Sequence, residues 1–281
     1  TPNPESPTPN PALFAALIIG DEILSGKRQD KHLAKVIEIL QARGLVLSWA
    51  RYLGDDSALI TATLRETFAT DVVIFSFGGI GATPDDHTRQ CAGRALGVPL
   101  ALHPQARELI LERMRDVAAE QGVPYEPDRD DNVHRLNMGV FPEGARIIPN
   151  PYNKIAGFSL HASSGAGGVF FVPGFPVMAW PMIEWVLDHH CAHLRRQVGM
   201  REKSVIVFGA MEATLTPLME DIEARFPGIK VFSLPSVDHP QWGRHIELGV
   251  KGEPNSMEAA YAEMIRGLNG HGAKLGPELV R

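Results

Sequence analysis

Short apolar runs alternate with amphipathic stretches along the first half of the chain. The run from Leu13 to Ile19 has no polar side chain and stops at Gly20-Asp21, which is typical of a strand buried on both faces. Similar runs predict strands at Leu45 to Leu53 and at Val72 to Phe77. Helices are predicted by apolar stripes at helical spacing, formed by Leu33, Val36, Ile37 and Leu40, by Ile60, Leu64 and Phe68, and by Ile110, Met114 and Val117. Strands that alternate with helices favour right-handed crossovers and a mostly parallel sheet.

The pattern indicates a second, smaller domain towards the end of the chain. Shorter β-like pieces and a helix over about Pro176 to His190 complete a larger domain, which we place at residues 12–196. The segments that follow are Val205 to Phe208, Met211 to Phe226, Lys230 to Leu234, His245 to Val250 and Met257 to Leu268. Their strand, helix, strand, strand, helix order (βαββα) predicts a small α+β domain over residues 201–271. We expect the boundary near Gln197 to Arg201, where charge replaces the apolar pattern.

Both ends of the chain lack a folding pattern. Proline is frequent in residues 1–11, which predicts an extended, disordered tail. Residues 272–281 show no convincing period, so we expect a second tail that frays.

Composition narrows the class of protein. Lys and Arg number 27 against 33 Asp and Glu, for a formal net charge of −6, and 44% of residues are hydrophobic. The acidic balance disfavours nucleic acid and anionic membranes as partners, because phosphate surfaces attract Lys and Arg. Cys91 and Cys191 are too few for a disulfide framework. With no membrane-spanning run and no signal peptide in the pattern, we expect a cytoplasmic α/β protein.

Glycine and aspartate occur together at the ends of the predicted parallel strands. These places are Gly20-Asp21, Gly54-Asp55-Asp56 and the segment from Gly78 to Asp86. Ligands of open α/β sheets bind beyond the carboxyl ends of the strands, so the three segments predict one site.

The segment from Gly78 to Gly81 predicts an anion site. Glycines let the backbone approach a ligand and direct N–H groups at it. Thr83 is a good N-cap, Pro84 suits the first helical position and Asp86 the third, so a helix N-terminus is expected to face the same place. Asp85 and Asp86 have two explanations, which the spacing leaves open: they bind a bridging Mg²⁺, or they complement the helix dipole.

The ordered set of motifs resembles a known superfamily. Gly20-Asp21-Glu22-Ile23-Leu24-Ser25-Gly26, Gly54-Asp55-Asp56 and Gly78 to Thr88 are similar to successive signatures of the molybdopterin-binding MoaB/Mog superfamily. Pro142-Glu143-Gly144-Ala145, Pro149-Asn150-Pro151 and Val172-Pro173-Gly174-Phe175-Pro176 resemble, more narrowly, the N-terminal part of the competence/damage-inducible protein A (CinA) family. The likeness covers about Leu13 to Val250. It implies a Mog-like three-layer α/β/α domain followed by a small α+β domain, and we expect this sequence to lack that family's C-terminal amidase domain.

The resemblance also implies a ligand and the residues that bind it. It places catalytic roles on Asp55 and Asp86, with Asp86 also binding Mg²⁺. The ligand-binding residues it implies are Gly20, Asp21, Gly78, Gly79, Ile80, Gly81, Thr83, Pro84, Asp85, Thr88, Asn150, Pro151 and Gly174. The ligand is expected to be molybdopterin or a nucleotide, a phosphorylated small molecule bound by a homo-oligomer. The implied chemistry is adenylyl transfer, or pyrophosphate hydrolysis of nucleotides such as ADP-ribose.

Departures from the family pattern keep other functions open. Ala82 stands where the family usually has proline, Lys31-His32 stands in place of a Thr-Asn pair, and Tyr152 to Ala156 replaces the usual continuation of the Pro-Asn-Pro segment. The alternative hypothesis is therefore a non-catalytic binding or regulatory module that kept the fold. Asp21 and Asp55 also have a purely structural explanation, as turn and N-cap residues. A third hypothesis, RNA binding by the small domain, is disfavoured by the acidic charge.

Overall fold

The computed structural model describes residues 13–161, 167–194 and 201–281. They divide into two compact units: unit 1 lies within residues 1–42 and 46–195, and unit 2 within residues 43–45 and 196–281. The predicted tail at 1–11 and most of the predicted domain boundary lie outside the described residues, and both stay predictions.

Unit 1 is built on a six-stranded sheet. Its strands are β1 (Phe14–Ile19), β2 (Leu47–Leu53), β3 (Val73–Phe77), β4 (Leu100–Leu102), β5 (Val140–Pro142), β6 (Arg146–Ile148), β7 (Gly157–His161) and β8 (Gly168–Val172). The order in the sheet is β2-β1-β3-β8-β7-β6, and β4 and β5 form a separate antiparallel pair. Strands β2, β1, β3 and β8 are mutually parallel, whereas β7 runs antiparallel to both of its neighbours. The predicted, mostly parallel sheet is confirmed.

Helices cover both faces of this sheet. They are α1 (Asp21–Leu24), α2 (His32–Gln41), α3 (Ser57–Phe68), α4 (Thr88–Leu96), α5 (Pro104–Gln121), α6 (Asp130–Arg135) and α7 (Pro176–His189). The chain moves from β1 to β2 in one direction along the sheet and from β2 to β3 in the other, so right-handed crossovers place α2 and α3 on opposite faces. Helix α7 packs against α2, and α4 packs against α3. Strands β1, β3 and β8 are buried along their whole length because they lie between these two layers.

The helix predicted to begin at Thr83 and Pro84 begins later, so that prediction is wrong. Helix α4 starts at Thr88, and its N-cap is His87. The backbone N–H and the hydroxyl of Thr83 both donate to Asp86 Oδ2, at 2.9 and 2.6 Å, and the N–H of Asp86 donates back to the Thr83 carbonyl. These local bonds close a turn, and such side-chain bonds compete with helix formation.

Unit 2 is an antiparallel sheet covered by two helices. Its elements are β9 (Arg201–Phe208), α8 (Glu212–Arg225), β10 (Lys230–His239), β11 (Gly243–Gly252), α9 (Pro254–Gly270) and β12 (Lys274–Val280), with the strand order β10-β11-β9-β12. The predicted α+β class is confirmed, but the element order is βαββαβ. The predicted tail at 272–281 is wrong, because β12 pairs with β9 and Arg281 binds Glu247 at 2.8 Å. The pairing of β12 with β9 has a register shift between Leu275 and Glu278, and the sequence of this strand lacks a regular alternation of apolar and polar residues.

Among the residues that the structure describes, no helix combines the length and the apolar character needed to cross a membrane.

Candidate functional site

The carboxyl ends of β1 and β3 form the crevice of unit 1. These neighbouring strands are followed by helices on opposite faces of the sheet, which is the arrangement that opens a ligand crevice in α/β folds. A cavity of about 320 Å³ lies there, lined by Ile18, Ile19, Phe77 and Gly174 among others. The site is therefore at the edge of the sheet that the glycine and aspartate positions predict.

Asp21 and Asp55 hold two strand ends together. The N–H of Asp21 donates to Asp55 Oδ2 at 2.9 Å, and the N–H of Asp55 donates to Asp21 Oδ1 at 3.0 Å. A Cβ on Gly54 would lie 2.5 Å from Asp21 Oδ1, so glycine is required for this close approach. The N-cap of α3 is Asp56, which accepts the N–H of Leu59 at 2.8 Å. Asp55 therefore has no capping role, and its second carboxylate oxygen remains available.

Several carboxylates lie near one another around Asp55. Partial burial raises the pKa of Asp55, and the negative charges of Asp21, Glu22 and Asp85 raise it further. Like charges held this close favour a bound proton or a cation.

The segment from Gly78 to Gly81 presents free backbone donors. Gly78 and Gly79 have φ of 95° and 69°, and a Cβ on Gly79 would collide with the hydroxyl of Thr88. The N–H of Gly78 donates to the carbonyl of Val172 in β8, at 3.1 Å. The N–H groups of Gly79, Ile80 and Gly81 donate to no acceptor among the described residues. Three successive free donors form a concavity suited to an anion.

The predicted neighbours of this turn mainly hold it in place. Thr88 donates its N–H to Gly79 O at 3.0 Å and its hydroxyl to Gly78 O at 3.3 Å. Both donors of Thr83 are used by Asp86, and Pro84 has no N–H. The structure thus brings these residues to the site without a free donor directed at a ligand.

Arg89 is a residue of this site that sequence reasoning missed. Its side chain donates to the carbonyls of Ile80 and Gly81, the second at 2.6 Å, and the residue is only 4% exposed. Burial lowers the pKa of Arg89, and the charge of Asp86 partly offsets that effect. Because the Ile80 carbonyl and the Gly81 N–H belong to the same peptide group, Arg89 fixes the orientation of one of the three free donors. An arginine in the first turn of a helix gives no signal of such burial in the sequence.

Asp85 and Asp86 have different surroundings. Asp86 accepts both bonds from Thr83 and lies over Gly81, whose added Cβ would be 2.5 Å from Asp86 Oδ2. Asp85 is close enough to Asp55 for its charge to raise the pKa of that residue. Within the described ranges, no group of three or more His, Cys, Asp or Glu is arranged to hold a metal ion. Mg²⁺ commonly uses one or two carboxylates together with ligand phosphates, and the residues present fit that mode only.

Asn150 and Pro151 follow the far edge strand of the sheet. The amide of Asn150 donates to Asn153 Oδ1 at 2.8 Å and to the carbonyl of Ile155 at 3.0 Å, and its oxygen accepts the N–H of Tyr152. Strand β6, which precedes them, is five strand spacings from β2, about 24 Å at roughly 4.8 Å per spacing. The structure does not bring this loop together with Asp55.

Gly174 and His32 form one wall of the cavity. A Cβ on Gly174 would lie 3.5 Å from the Cα of Gly78, so the two glycines approach closely. His32 Nε2 bonds to the carbonyl of Gly174 at 3.0 Å, and its ring stacks on Phe77 with centroids 4.4 Å apart. Its Nδ1 is buried and has no partner among the described residues. Burial lowers the pKa of His32, so the ring is neutral and Nδ1 is an acceptor.

Comparisons with known proteins give the same architecture. The family model described as a probable molybdopterin binding domain matches residues 15–193. A CinA-like protein of Anaeromyxobacter sp. (strain K) is 32% identical over 209 residues, which is 73% of this chain and 48% of the relative. A CinA-like protein of Geotalea uraniireducens (strain Rf4) is 28% identical over 255 residues, 90% of this chain and 56% of the relative. The chain spans about half the length of the curated relatives it matches.

A solved structure shares the fold. The crystal structure of the protein CinA with unknown function from Thermoplasma acidophilum has a TM-score of 0.52 and 22% identity to this chain. The match covers 63% of this chain and 97% of the other. The predicted Mog-like fold is thereby confirmed.

Proposed function

This chain belongs to the family of probable molybdopterin binding domains, in its MoaB/Mog-like, CinA-type form, and on that basis we propose that unit 1 binds a phosphorylated pterin or nucleotide. The observation that supports the proposal is the set of free N–H groups on Gly79, Ile80 and Gly81. They lie in the crevice where α/β sheets bind ligands, so a phosphate is the natural acceptor.

The carboxylates extend the proposal to chemistry at a phosphoanhydride. Asp55 has a raised pKa and is the residue best suited to accept a proton from an attacking water. The free N–H groups of the turn would stabilise the charge that develops on the phosphate oxygens. Mg²⁺, when bound, would supply further positive charge at those oxygens.

Two carboxylate sets are open for the metal. The resemblance assigns Mg²⁺ to Asp86, whereas the charge of Asp85, which raises the pKa of Asp55, favours the pair of Asp55 and Asp85 together with ligand phosphates. Either set would support a pyrophosphatase-like or adenylyl-transfer-like reaction. From the resemblance we further propose a cytoplasmic homo-oligomer, and sedimentation of the purified protein tests the oligomeric state.

Binding without catalysis is a second candidate function. It is favoured by the hydrogen bonds that Asp21 and Asp86 already make within the protein, since these bonds alone give both carboxylates a structural role. Release of AMP and ribose 5-phosphate from ADP-ribose, or of phosphate or pyrophosphate from ATP, by the purified protein would exclude this candidate.

Titration with pyrophosphate, ADP-ribose, ATP and molybdopterin, with and without Mg²⁺, tests the proposed site. We expect Gly79→Ala to weaken binding of pyrophosphate at least about tenfold, because the new methyl group collides with Thr88 and moves the turn. Gly97→Ala is a matched control, since Gly97 has the same φ of 69° at the end of α4 and no atom near its Cβ position. If both variants bind like the parent, the phosphate site is wrongly placed.

A further inference from the structure

The cavity beside the turn from Gly78 to Gly81 is apolar inside and charged at its rim. Its volume of about 320 Å³ is in the range that holds small organic ligands. Ile19 and Phe77 are buried, at 5% and 1% exposure, whereas Arg28 and Lys31 in the same lining are exposed. An apolar interior with a charged rim suits a ring system that carries polar substituents.

Phe175 has a large aromatic side chain that is exposed to solvent at this cavity. It is 54% exposed and lines the cavity together with Pro176. The backbone around it is well fixed, because the Phe175 carbonyl accepts the N–H groups of Met178 at 3.0 Å and Ala179 at 2.8 Å. Pro176 occupies the first position of α7 and restricts the chain further. The exposure of the ring thus follows from a rigid backbone.

Arg28 lies over the Phe175 ring. Its guanidinium carbon is 6.0 Å from the ring centroid, and its NH1 is 3.8 Å from Glu22 Oε1. A planar ring between the two side chains needs contacts of about 3.5–4.0 Å on each side, or roughly 7–8 Å in total. Arg28 would have to withdraw by only about 1–2 Å, which a long, exposed side chain does easily.

We propose that Phe175 is the stacking platform for a planar heteroaromatic ring, the pterin or purine part of the ligand, with Arg28 closing over the other face. This inference rests on the proposed function, since the phosphate of the same ligand lies on the turn from Gly78 to Gly81. Gly174, which directly precedes Phe175, approaches Gly78 closely and so connects the platform to the turn. Phe175 thereby determines specificity for a ring and contributes nothing to phosphate binding.

The test compares ligands that share a diphosphate but differ in the ring. The probes are pyrophosphate, ADP and 6-hydroxymethylpterin diphosphate, each titrated with Mg²⁺ against the full chain. We expect Phe175→Ala to lose about tenfold in affinity for a ring-bearing probe and to bind pyrophosphate unchanged. Phe175→Tyr should restore the affinity because it restores the ring. Loss of ADP binding identifies a purine as the preferred ring, and loss of the pterin probe identifies a pterin.

Val177→Ala is the matched control. Val177 has the same 54% exposure two positions further along, and it does not line the cavity. Equal affinity of parent and Phe175→Ala for both ring-bearing probes would overturn the inference, as would an equal loss for pyrophosphate. Failure of the parent to bind pyrophosphate and both ring-bearing probes would instead overturn the proposed function, and this inference with it.

Discussion

Arg89 shows how one buried charge can shape a ligand site. Its guanidinium binds the carbonyls of Ile80 and Gly81, and no exposed side chain could hold the turn in this way. The Ile80 carbonyl and the Gly81 N–H belong to one peptide group, so Arg89 fixes the orientation of that N–H. Thr88 fixes the N–H groups of Gly79 and Ile80 in the same way, through the carbonyls of Gly78 and Gly79.

Replacing Arg89 should affect stability and binding together. Arg89→Met keeps the apolar stem but leaves two carbonyls without donors, so we expect the free energy of unfolding to fall by roughly 2 kcal/mol or more. Affinity for pyrophosphate should fall as well. Urea denaturation and titration measure the two effects. The control is Arg94→Met, an exposed position on the same helix, where a change within about 0.5 kcal/mol is expected. Equal effects at both positions would contradict the role of Arg89.

The unfavourable surroundings of the Asp55 charge should make the stability of the protein depend on pH. Its folded pKa is raised above the ordinary value of 3.8, so the folded state binds more protons and stability falls as the pH rises through that window. Asp55→Asn removes the charge, and we expect the melting temperature to rise at pH 7 by about 1 °C or more. The gain should disappear well below pH 3.8, where the parent carboxyl is neutral.

Thermal melts of the parent and of Asp55→Asn between pH 3 and 8 measure this difference in melting temperature. Asp56→Asn supplies the comparison, because Asn is an equally good N-cap for α3 and no gain is expected. A melting temperature of Asp55→Asn below that of the parent at pH 7 would contradict the prediction.

At the scale of elements, the segment before α4 differs most from its sequence pattern. Thr83, Pro84 and Asp86 have the spacing of a capped helix start, but the structure uses the same bonds in a separate turn. The N-terminus of α4 therefore lies four residues further along than expected, with the N-cap at His87 instead of Thr83.

Two substitutions, Asp85→Asn and Asp86→Asn, test whether each aspartate stabilises the turn or binds the metal. We expect Asp86→Asn to destabilise unit 1 by about 1 kcal/mol, because a neutral oxygen is a weaker acceptor for the two Thr83 donors. The Thr83 side chain also lowers the pKa of Asp85, so Asp85→Asn should cost some stability, but less than Asp86→Asn because Asp85 is exposed. It should weaken Mg²⁺-dependent binding of ADP about tenfold, because the charge of Asp85 acts beside Asp55. Chemical denaturation and titration of both variants measure this. A selective loss of Mg²⁺ dependence in Asp86→Asn would return the metal to Asp86.

Strand β12 can be tested at Gly276. A Cβ there would lie 2.7 Å from Phe208 Cε2 and 3.2 Å from Ile206 Cβ, both on β9. We expect Gly276→Val to lower the stability of unit 2 by about 1–3 kcal/mol through overpacking, as measured by urea denaturation. The comparison is Gly272→Val, which is strained by a φ of 66° but has open space around its Cβ. In a frayed tail, neither substitution would have a cost.

At the scale of the whole molecule, the order of strands decides which residues share a site. The neighbours β1 and β3 bring Gly20-Asp21 and Gly78 together, and the pairing of β1 with β2 adds Asp55. The same order places β6, and with it Asn150, at the far edge of the sheet. The spacing of residues along the chain does not predict the order of strands in the sheet, because that order is set by hydrogen bonds between strands distant in sequence.

Local physical chemistry was enough to predict most elements of this protein and the edge where ligands bind. The apolar run that predicts the first strand forms β1 (Phe14–Ile19), which is buried along its whole length, because a backbone that no water reaches must pair with neighbouring strands. Gly20 follows where the chain turns. Tertiary structure alone decided which polar groups remain free. Arg89 binds the carbonyls of Ile80 and Gly81, and Asp86 binds the donors of Thr83. The N–H groups of Gly79, Ile80 and Gly81 are left without an acceptor in the part of the chain that the structure describes. Whether an N–H group stays free depends on which hydrogen bonds form around it, some with residues distant in sequence and some between close neighbours. The sequence allows several such sets of bonds, and the packed structure determines which set forms.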